Sequence, residues 1–359
     1  MTTRRDFLKT GSAAVATGIV FCSCGLLHSV QARQTLPIKV AGQRVKTIDV
    51  HSHCHFREAG ALLGADAAAA QLPPVNGAEE AFIEIDRRLA AMDAQAVDME
   101  VLSINPFWYN RERDLAGRIV KIQNEKLAEL CASRPDRFAA FASLTLQAPD
   151  LAVQELETAV KKQGLKGAAI GDVVDGVEFS DPKFHPVWAK AEELGVPLFI
   201  HPQGIAELSK RLSGNGWLAN TIGNPLGTTL ALSHLIFEGT FDRFPGLKVI
   251  AAHGGGYLPS YANNPAVVLK KKPTEYLKQI YFDSLVFSPE AIRHLAAQVG
   301  AGQIVLGSDY PYPWQLNPVD HIFDSTSLSD DEKADILGRT AERLFNLEAQ
   351  TVGTSTVKQ

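Results

Sequence analysis

The chain is 359 residues long, with 35 Lys plus Arg against 40 Asp plus Glu and a net charge of −5. So weak a charge excludes a nucleic acid or an anionic membrane surface as the main partner. Hydrophobic residues make up 45%, enough for a well-buried core in one large α/β domain or two small ones.

The first recognisable segment lies outside that core. Thr3-Arg4-Arg5-Asp6-Phe7-Leu8-Lys9 is a twin-arginine signature, followed by an apolar stretch over residues 13–27 and small residues up to Ala32. Together they predict that residues 1–32 are a twin-arginine export signal cut after Ala32, leaving a periplasmic protein without a membrane anchor. A permanent span is the alternative, but the apolar stretch falls short of the ~20 residues a bilayer requires. A lipoprotein cut before Cys22 or Cys24 is another, poorly served by Phe21 and Cys22 upstream. The mature domain is then 33–359. Cys54 and Cys131 remain in it and read as two isolated thiols, with a disulfide between them the competing reading.

Along the mature chain, short β-rich runs alternate with longer amphipathic segments. Strands are expected at 45–50, 98–104, 138–143, 167–170, 197–200, 248–252, 280–284 and 303–307, and helices at 114–133, 150–163, 182–194, 227–240, 289–299 and 329–345. Eight strands mostly separated by helices predict an α/β protein of the (β/α)8 TIM-barrel type. A doubly wound open sheet is the runner-up, but no Gly-x-Gly-x-x-Gly follows the first strand to support it.

Barrel enzymes build their sites at the C-terminal ends of strands. Here the first strand runs into Asp49-Val50-His51-Ser52-His53, whose two histidines share one strand face. The fifth runs into His201-Pro202, the sixth into His253-Gly254-Gly255-Gly256 and the eighth into Ser308-Asp309-Tyr310-Pro311. Each alone reads as a core histidine or a capping aspartate; arriving together at strand ends, they read as a site. Three imidazoles and a carboxylate, His51, His53, His201 and Asp309, suit one divalent ion, Zn²⁺ foremost, with Mn²⁺ or Fe²⁺ where coordination expands. His253 is left over as acid or base, and Asp309 is assigned a second role as proton acceptor.

These motifs also carry a resemblance. The chain resembles the amidohydrolase superfamily, in its aminocarboxymuconate-semialdehyde decarboxylase-like branch. The resemblance rests on Asp49-Val50-His51-Ser52-His53, Ala91-Met92-Asp93, Val101-Leu102-Ser103, Ile200-His201-Pro202, Phe244-Pro245-Gly246-Leu247-Lys248-Val249, Ala252-His253-Gly254-Gly255-Gly256 and Leu306-Gly307-Ser308-Asp309-Tyr310-Pro311. It implies one metal on His51, His53, His201 and Asp309, with His253 as the catalytic acid or base. No lysine ends the fourth strand, so the carbamylated-lysine bridge of two-metal relatives is not expected. It further implies a small carboxylic acid as substrate and non-oxidative decarboxylation of an aromatic or enol acid. The alternative is hydrolysis of a C–C, ester, lactone or amide bond by the same site. A homodimer is among the expectations. A binding scaffold that had lost catalysis would be expected to have replaced at least one of the five positions.

The chain departs from the branch's typifying decarboxylase at Asn264, where that enzyme has an arginine reaching into a neighbouring subunit. Arg57 is then the candidate for a substrate carboxylate, with a solvated loop charge the competing reading. Trp108 and Tyr312 are candidates for framing a substrate ring; Trp108 reads equally as loop packing, and Trp217 is a further aromatic of this kind. His55 is expected in a loop beyond the first strand, Cys54 to point away from the metal, and His185 to be packed or at the surface. The glycine triplet after His253 is expected to let backbone pass close to the metal pocket. An oxyanion hole of the lipase kind is excluded, because no Gly-x-Ser-x-Gly accompanies it.

Overall fold

The apolar runs form eight short parallel strands that close on themselves. In the computed structural model, which describes residues 37–66, 84–214, 217–262 and 269–347, they are β1 Ile48–His53, β2 Met99–Ser103, β3 Phe138–Ala140, β4 Ala168–Ile170, β5 Pro197–Ile200, β6 Lys248–Ala251, β7 Ile280–Asp283 and β8 Ile304–Val305. Pairing runs in parallel from β1 to β3 and from β4 to β8. Isolated parallel bridges join Ala142 to Ala168, Asp49 to Leu306 and Ser52 to Tyr310, which closes the ring. The protein is a (β/α)8 barrel. The export segment 1–32 and Asn264 lie outside the described residues.

The principal helices are α1 Ile85–Ala94, α2 Arg113–Ser133, α3 Pro149–Lys161, α4 His185–Leu194, α5 Asn224–Phe237 and α6 Pro289–Val299. Their boundaries follow from capping. Glu112 accepts the Asp114 and Leu115 amides ahead of α2, Ser288 accepts the Ala291 amide ahead of α6, and Gly195 closes α4 with φ 67°. A composite helix over Asp330–Ala334, Asp335–Arg339 and Thr340–Phe345 closes the fold, its middle portion wound as a π-helix.

Two layers of apolar packing hold the barrel. Inside it lie Ile48, Val50, Met99, Val101, Phe141, Phe199, Ile250 and Val305, plugged at one end by Ala341, Leu344 and Phe345. The larger layer, with Leu102, Leu127, Leu156, Trp188, Leu235 and Ile292, lies between strands and helices. Strands buried on both faces read as near-continuous apolar runs, which is why they were legible in the sequence.

Three features differ from the sequence expectation. β1 spans Ile48–His53 rather than 45–50, so both histidines lie within the strand. Its register against β2 slips between Asp49 and Ser52. That slip matters, because Ile48 and Val50 already face the barrel interior, and strict alternation would send His51 outward. The extra residue brings His51 inward, its ring 5.1 Å from that of Phe199. α1 was not anticipated, because its buried side carries Arg88 beside Met92 and so breaks the apolar period. Ahead of the barrel, Lys39–Val40 and Gln43–Arg44 form a small antiparallel hairpin turned by Ala41 and Gly42, both at positive φ.

Candidate metal centre

β1, β5 and the turn after β8 bring four donors to one point. The ligand atoms of His51, His53, His201 and Asp309 all lie within 4.8 Å of one another, and all four residues are buried. His51 Nε2 is 3.2 Å from His53 Nε2. Asp309 Oδ1 is 2.8 Å from His53 Nε2, 3.2 Å from His51 Nε2 and 3.9 Å from His201 Nε2. The turn that delivers Asp309 is held to β1, since the Asp309 amide donates to the His51 carbonyl at 2.8 Å and the His53 amide to the Tyr310 carbonyl at 2.7 Å. Asp309 itself adopts φ 63°, a left-handed conformation that costs an aspartate energy and is kept where surroundings impose it.

The donor set fits a divalent ion on two grounds. Both ring nitrogens of His201 are buried without a hydrogen-bond partner, and Oδ1 of Asp309 is buried facing the imidazoles of His51 and His53, a costly arrangement that a shared cation relieves. The electrostatics agree. Burial works against a charged His51, yet Asp309 and Asp283 outweigh it and push the imidazole up to about 10. Burial also opposes the charge on Asp309, but His51 and His53 hold it well below the usual carboxylate range. His53 and His201 are pushed down, chiefly by burial, and so stay neutral as ligands must. The pocket thus retains one positive charge at its centre, a place a metal ion can take from the proton.

Two ligands are oriented from behind. Asp283, the last residue of β7, accepts from His51 Nδ1 at 2.5 Å, from the amides of His253 at 2.9 Å and Gly254 at 2.6 Å, and from Leu285 at 3.1 Å. Ser103 at the end of β2 lies 2.9 Å from His53 Nδ1. Each contact leaves Nε2 to face the donor cluster, as ligating histidines require. Asp49 straps β1 to the last turn, accepting the amides of His51 at 3.0 Å and Ser308 at 3.2 Å together with the Ser308 hydroxyl. None of these supports was singled out from sequence. Asp283 could have been, because it is a polar residue at a strand end like the four ligands.

His253 completes the centre without joining the ligand cluster. Its ring centroid is 5.4 Å from those of His51 and His201, and both its nitrogens are buried and unpartnered. Burial, followed by the charge on His51, pushes it down to about 4. Near neutral pH its ring is therefore uncharged, with one nitrogen to donate and one to accept. His253 has φ 56°, and the glycines after it follow at 60°, 76° and 62°. A Cβ on Gly254 would stand 2.7 Å from Val286, on Gly255 2.6 Å from the Phe282 ring and on Gly256 2.1 Å from the Pro225 carbonyl. The triplet lets backbone press against β7, Val286 and α5, and its first amide reaches Asp283, the carboxylate behind His51.

The proposed substrate residues separate. Tyr312 is half-buried, its ring edge-on to His53 at 5.9 Å and parallel to Trp314 at 6.1 Å. Trp108 is 0% exposed and its indole N–H donates to the Leu144 carbonyl at 2.9 Å, so it packs the wall and offers no face to a ligand. That corrects the stacking role. Arg57 is exposed at the start of the short helix Arg57–Ala61, and His55 nearby has its pKa lowered chiefly by burial, with the charge of Arg57 adding to it. His55 lies in the loop beyond β1, as expected, and is buried there against Phe107, its ring 5.9 Å away. Trp217 is 58% exposed with its ring 5.2 Å from that of Trp314, and His185 packs on Phe244 at 5.3 Å. Cys54 and Cys131 are free thiols, both pushed up to about 12 chiefly by burial. Among the described residues, no helix is long and apolar enough to cross a membrane.

Comparison with known proteins places this centre in a lineage. Residues 48–347 match the amidohydrolase family. The chain belongs to that family. It is 33% identical over 277 residues to the 2-amino-3-carboxymuconate-6-semialdehyde decarboxylase of Dictyostelium discoideum, covering 73% of this chain and 77% of that protein. It is 30% identical over 289 residues to the gamma-resorcylate decarboxylase of Rhodococcus jostii, covering 73% and 88%. Among solved structures, a 2,6-dihydroxybenzoate decarboxylase complexed with 2,6-dihydroxybenzoate superposes with a TM-score of 0.74 at 26% identity, over 85% of this chain and all of that one.

Proposed function

We propose that this amidohydrolase-family protein is a non-oxidative decarboxylase of a small aromatic or enol carboxylic acid, with one divalent ion on His51, His53, His201 and Asp309. The observation that carries the reading is the buried convergence of those four donors beside an unpartnered His253, in a chain whose relatives of 30% identity or more include decarboxylases of such acids. A divalent ion held there supplies Lewis acidity for negative charge on a substrate oxygen. Three imidazoles and one carboxylate suit zinc, with manganese or iron as the alternatives.

The protein's own side chains supply the rest. In a non-oxidative decarboxylation the carbon that loses its bond to the carboxylate gains one proton, and CO₂ departs. His253, neutral and with both nitrogens free, is the group placed to relay that proton, its N–H passing to the carbon as its other nitrogen takes a proton from solvent. Asp309 is placed to accept the proton that a substrate hydroxyl releases on binding and to return it to the product, so the net uptake is the single proton that enters at carbon. Tyr312 borders the pocket on the His53 side, where a substrate ring would lie. Residues 1–32 are proposed as a twin-arginine export signal and 33–359 as the periplasmic domain, supported by Arg4-Arg5 and the apolar stretch behind them.

The test offers metal-loaded protein a panel of hydroxybenzoates and enol acids, with ester and C–C ring-cleavage substrates as the hydrolytic arm. Release of CO₂ with the carboxylate-free product supports the reading. Hydrolytic products without CO₂, or no turnover of any acid at full metal loading, overturn it.

A further inference from the structure

A fully buried and heavily engaged charge in the barrel wall has no part in the chemistry above. Arg88, on α1, is only 1% exposed. Its guanidinium donates to Glu100 Oε2 on β2 at 2.7 Å, to the Ser52 hydroxyl on β1 at 2.9 Å and to the main-chain carbonyl of His53. Its carbon lies 4.9 Å from the centre of the Tyr310 ring. One side chain therefore grips the residue between the two β1 ligands, the backbone of the second ligand and the residue after Asp309.

Stability alone is a poor reason for such a group. A buried ion pair is costly to desolvate, and replacing one by apolar side chains often leaves a protein as stable or more so. The geometry offers a different reason. His53 and Asp309 belong to segments distant in sequence, yet their donor atoms lie 2.8 Å apart. The planar, five-donor fork of arginine reaches both segments at once from a helix outside the barrel, which a lysine cannot do. We propose that Arg88 is a positioning residue: it fixes His53 against Asp309 so that the ligand set is formed before an ion arrives. Glu100, also 1% exposed, is its counter-charge and sets the angle of the fork.

This rests on the four-ligand reading of the centre, and the experiment separates the two. Full-length wild type, R88K, R88M and the double variant R88M/E100M are titrated with Co²⁺ alone against a competing chelator. Visible absorption of the bound cobalt reports ligand geometry, and thermal unfolding is followed in parallel. R88K, which keeps the charge but not the fork, should bind cobalt about tenfold to a hundredfold more weakly with an altered spectrum. R88M should unfold early, and R88M/E100M, which removes both buried charges, should recover the melting temperature but not the cobalt affinity. Wild-type affinity and spectrum in either R88K or R88M/E100M would overturn the positioning role and leave Arg88 as structural. If the methionine variants do not fold, R88K decides. Wild type that binds no cobalt would refute the metal centre instead.

Discussion

Asp283→Asn probes the metal centre without touching a ligand. The Asp283 carboxylate is fully buried and takes four donors, with Oδ2 facing His51 Nδ1 and the His253 amide and Oδ1 facing the amides of Gly254 and Leu285. Burial opposes its charge, yet His51 holds it below the usual carboxylate range. An asparagine can satisfy only one of the two pairs. If its NH₂ faces His51, Nδ1 has to become the acceptor, and the imidazole proton moves to Nε2, the nitrogen meant for the ion. If its oxygen faces His51, two backbone donors beside His253 are left against an NH₂. The first arrangement weakens metal binding about tenfold to a hundredfold, or about 1.4–2.7 kcal/mol. The second lowers stability by about 3 kcal/mol through two unsatisfied buried donors and displaces His253. Chelator competition, thermal melting and kcat on the same sample distinguish them. D283N with wild-type metal affinity, melting temperature and kcat together would refute the orienting role of Asp283.

Four further outcomes are expected. His51→Ala should lose metal and activity together, whereas His253→Ala should keep metal and lose kcat by about 10²–10⁴; elemental analysis beside the rate assay checks the split, and metal loss in both would contradict it. Trp108→Ala should cost about 3–5 kcal/mol of stability as a core truncation, read by denaturant unfolding, with a smaller cost and a raised KM pointing instead to substrate contact. Glu155, pushed by burial from the usual 4.5 up to about 7 despite donors from Thr145, binds its proton more tightly folded than unfolded. Its contribution is complete below pH 4.5 and is lost as pH rises through 7, by about 2–3 kcal/mol; E155Q should flatten that slope in melts across the range. Replacing Arg4 and Arg5 with Lys should abolish recovery in the periplasmic fraction, and unchanged recovery would exclude twin-arginine export.

How much was legible in the sequence follows from where the information resides. β5 was read to the residue and the other strands to within a few, because each is an apolar run buried on both faces. The four donors and His253 were legible because polar residues ending buried strands need a reason, and five together share one. Arg88 was not, since a charge on a helix ordinarily marks its solvent side, and only the fold shows that it points into the barrel wall. Asp283 ends β7, but the expected strand ran on to residue 284 and so placed it inside. Trp108 fell to the competing reading, because an aromatic after a barrel strand can serve the wall or the pocket, and its fully buried indole serves the wall. The hairpin over 39–44 is too short to carry a period at all.

The slipped register of β1 makes the centre sensitive to strand pairing as well as to substitutions. Asp49, Val50, Ser52 and the two histidines could all be retained, and if the slip between Asp49 and Ser52 gave way to an even pleat the site would still fail, its imidazoles rotated out beneath the helices. Conversely, a His-x-His pair on a regular barrel strand with inward apolar neighbours at the intervening parity faces away from the lumen. Spacing between the histidines therefore does not by itself identify a ligand pair in such barrels. The register slip does, and in this chain it lets two consecutive residues, Val50 and His51, both face the lumen.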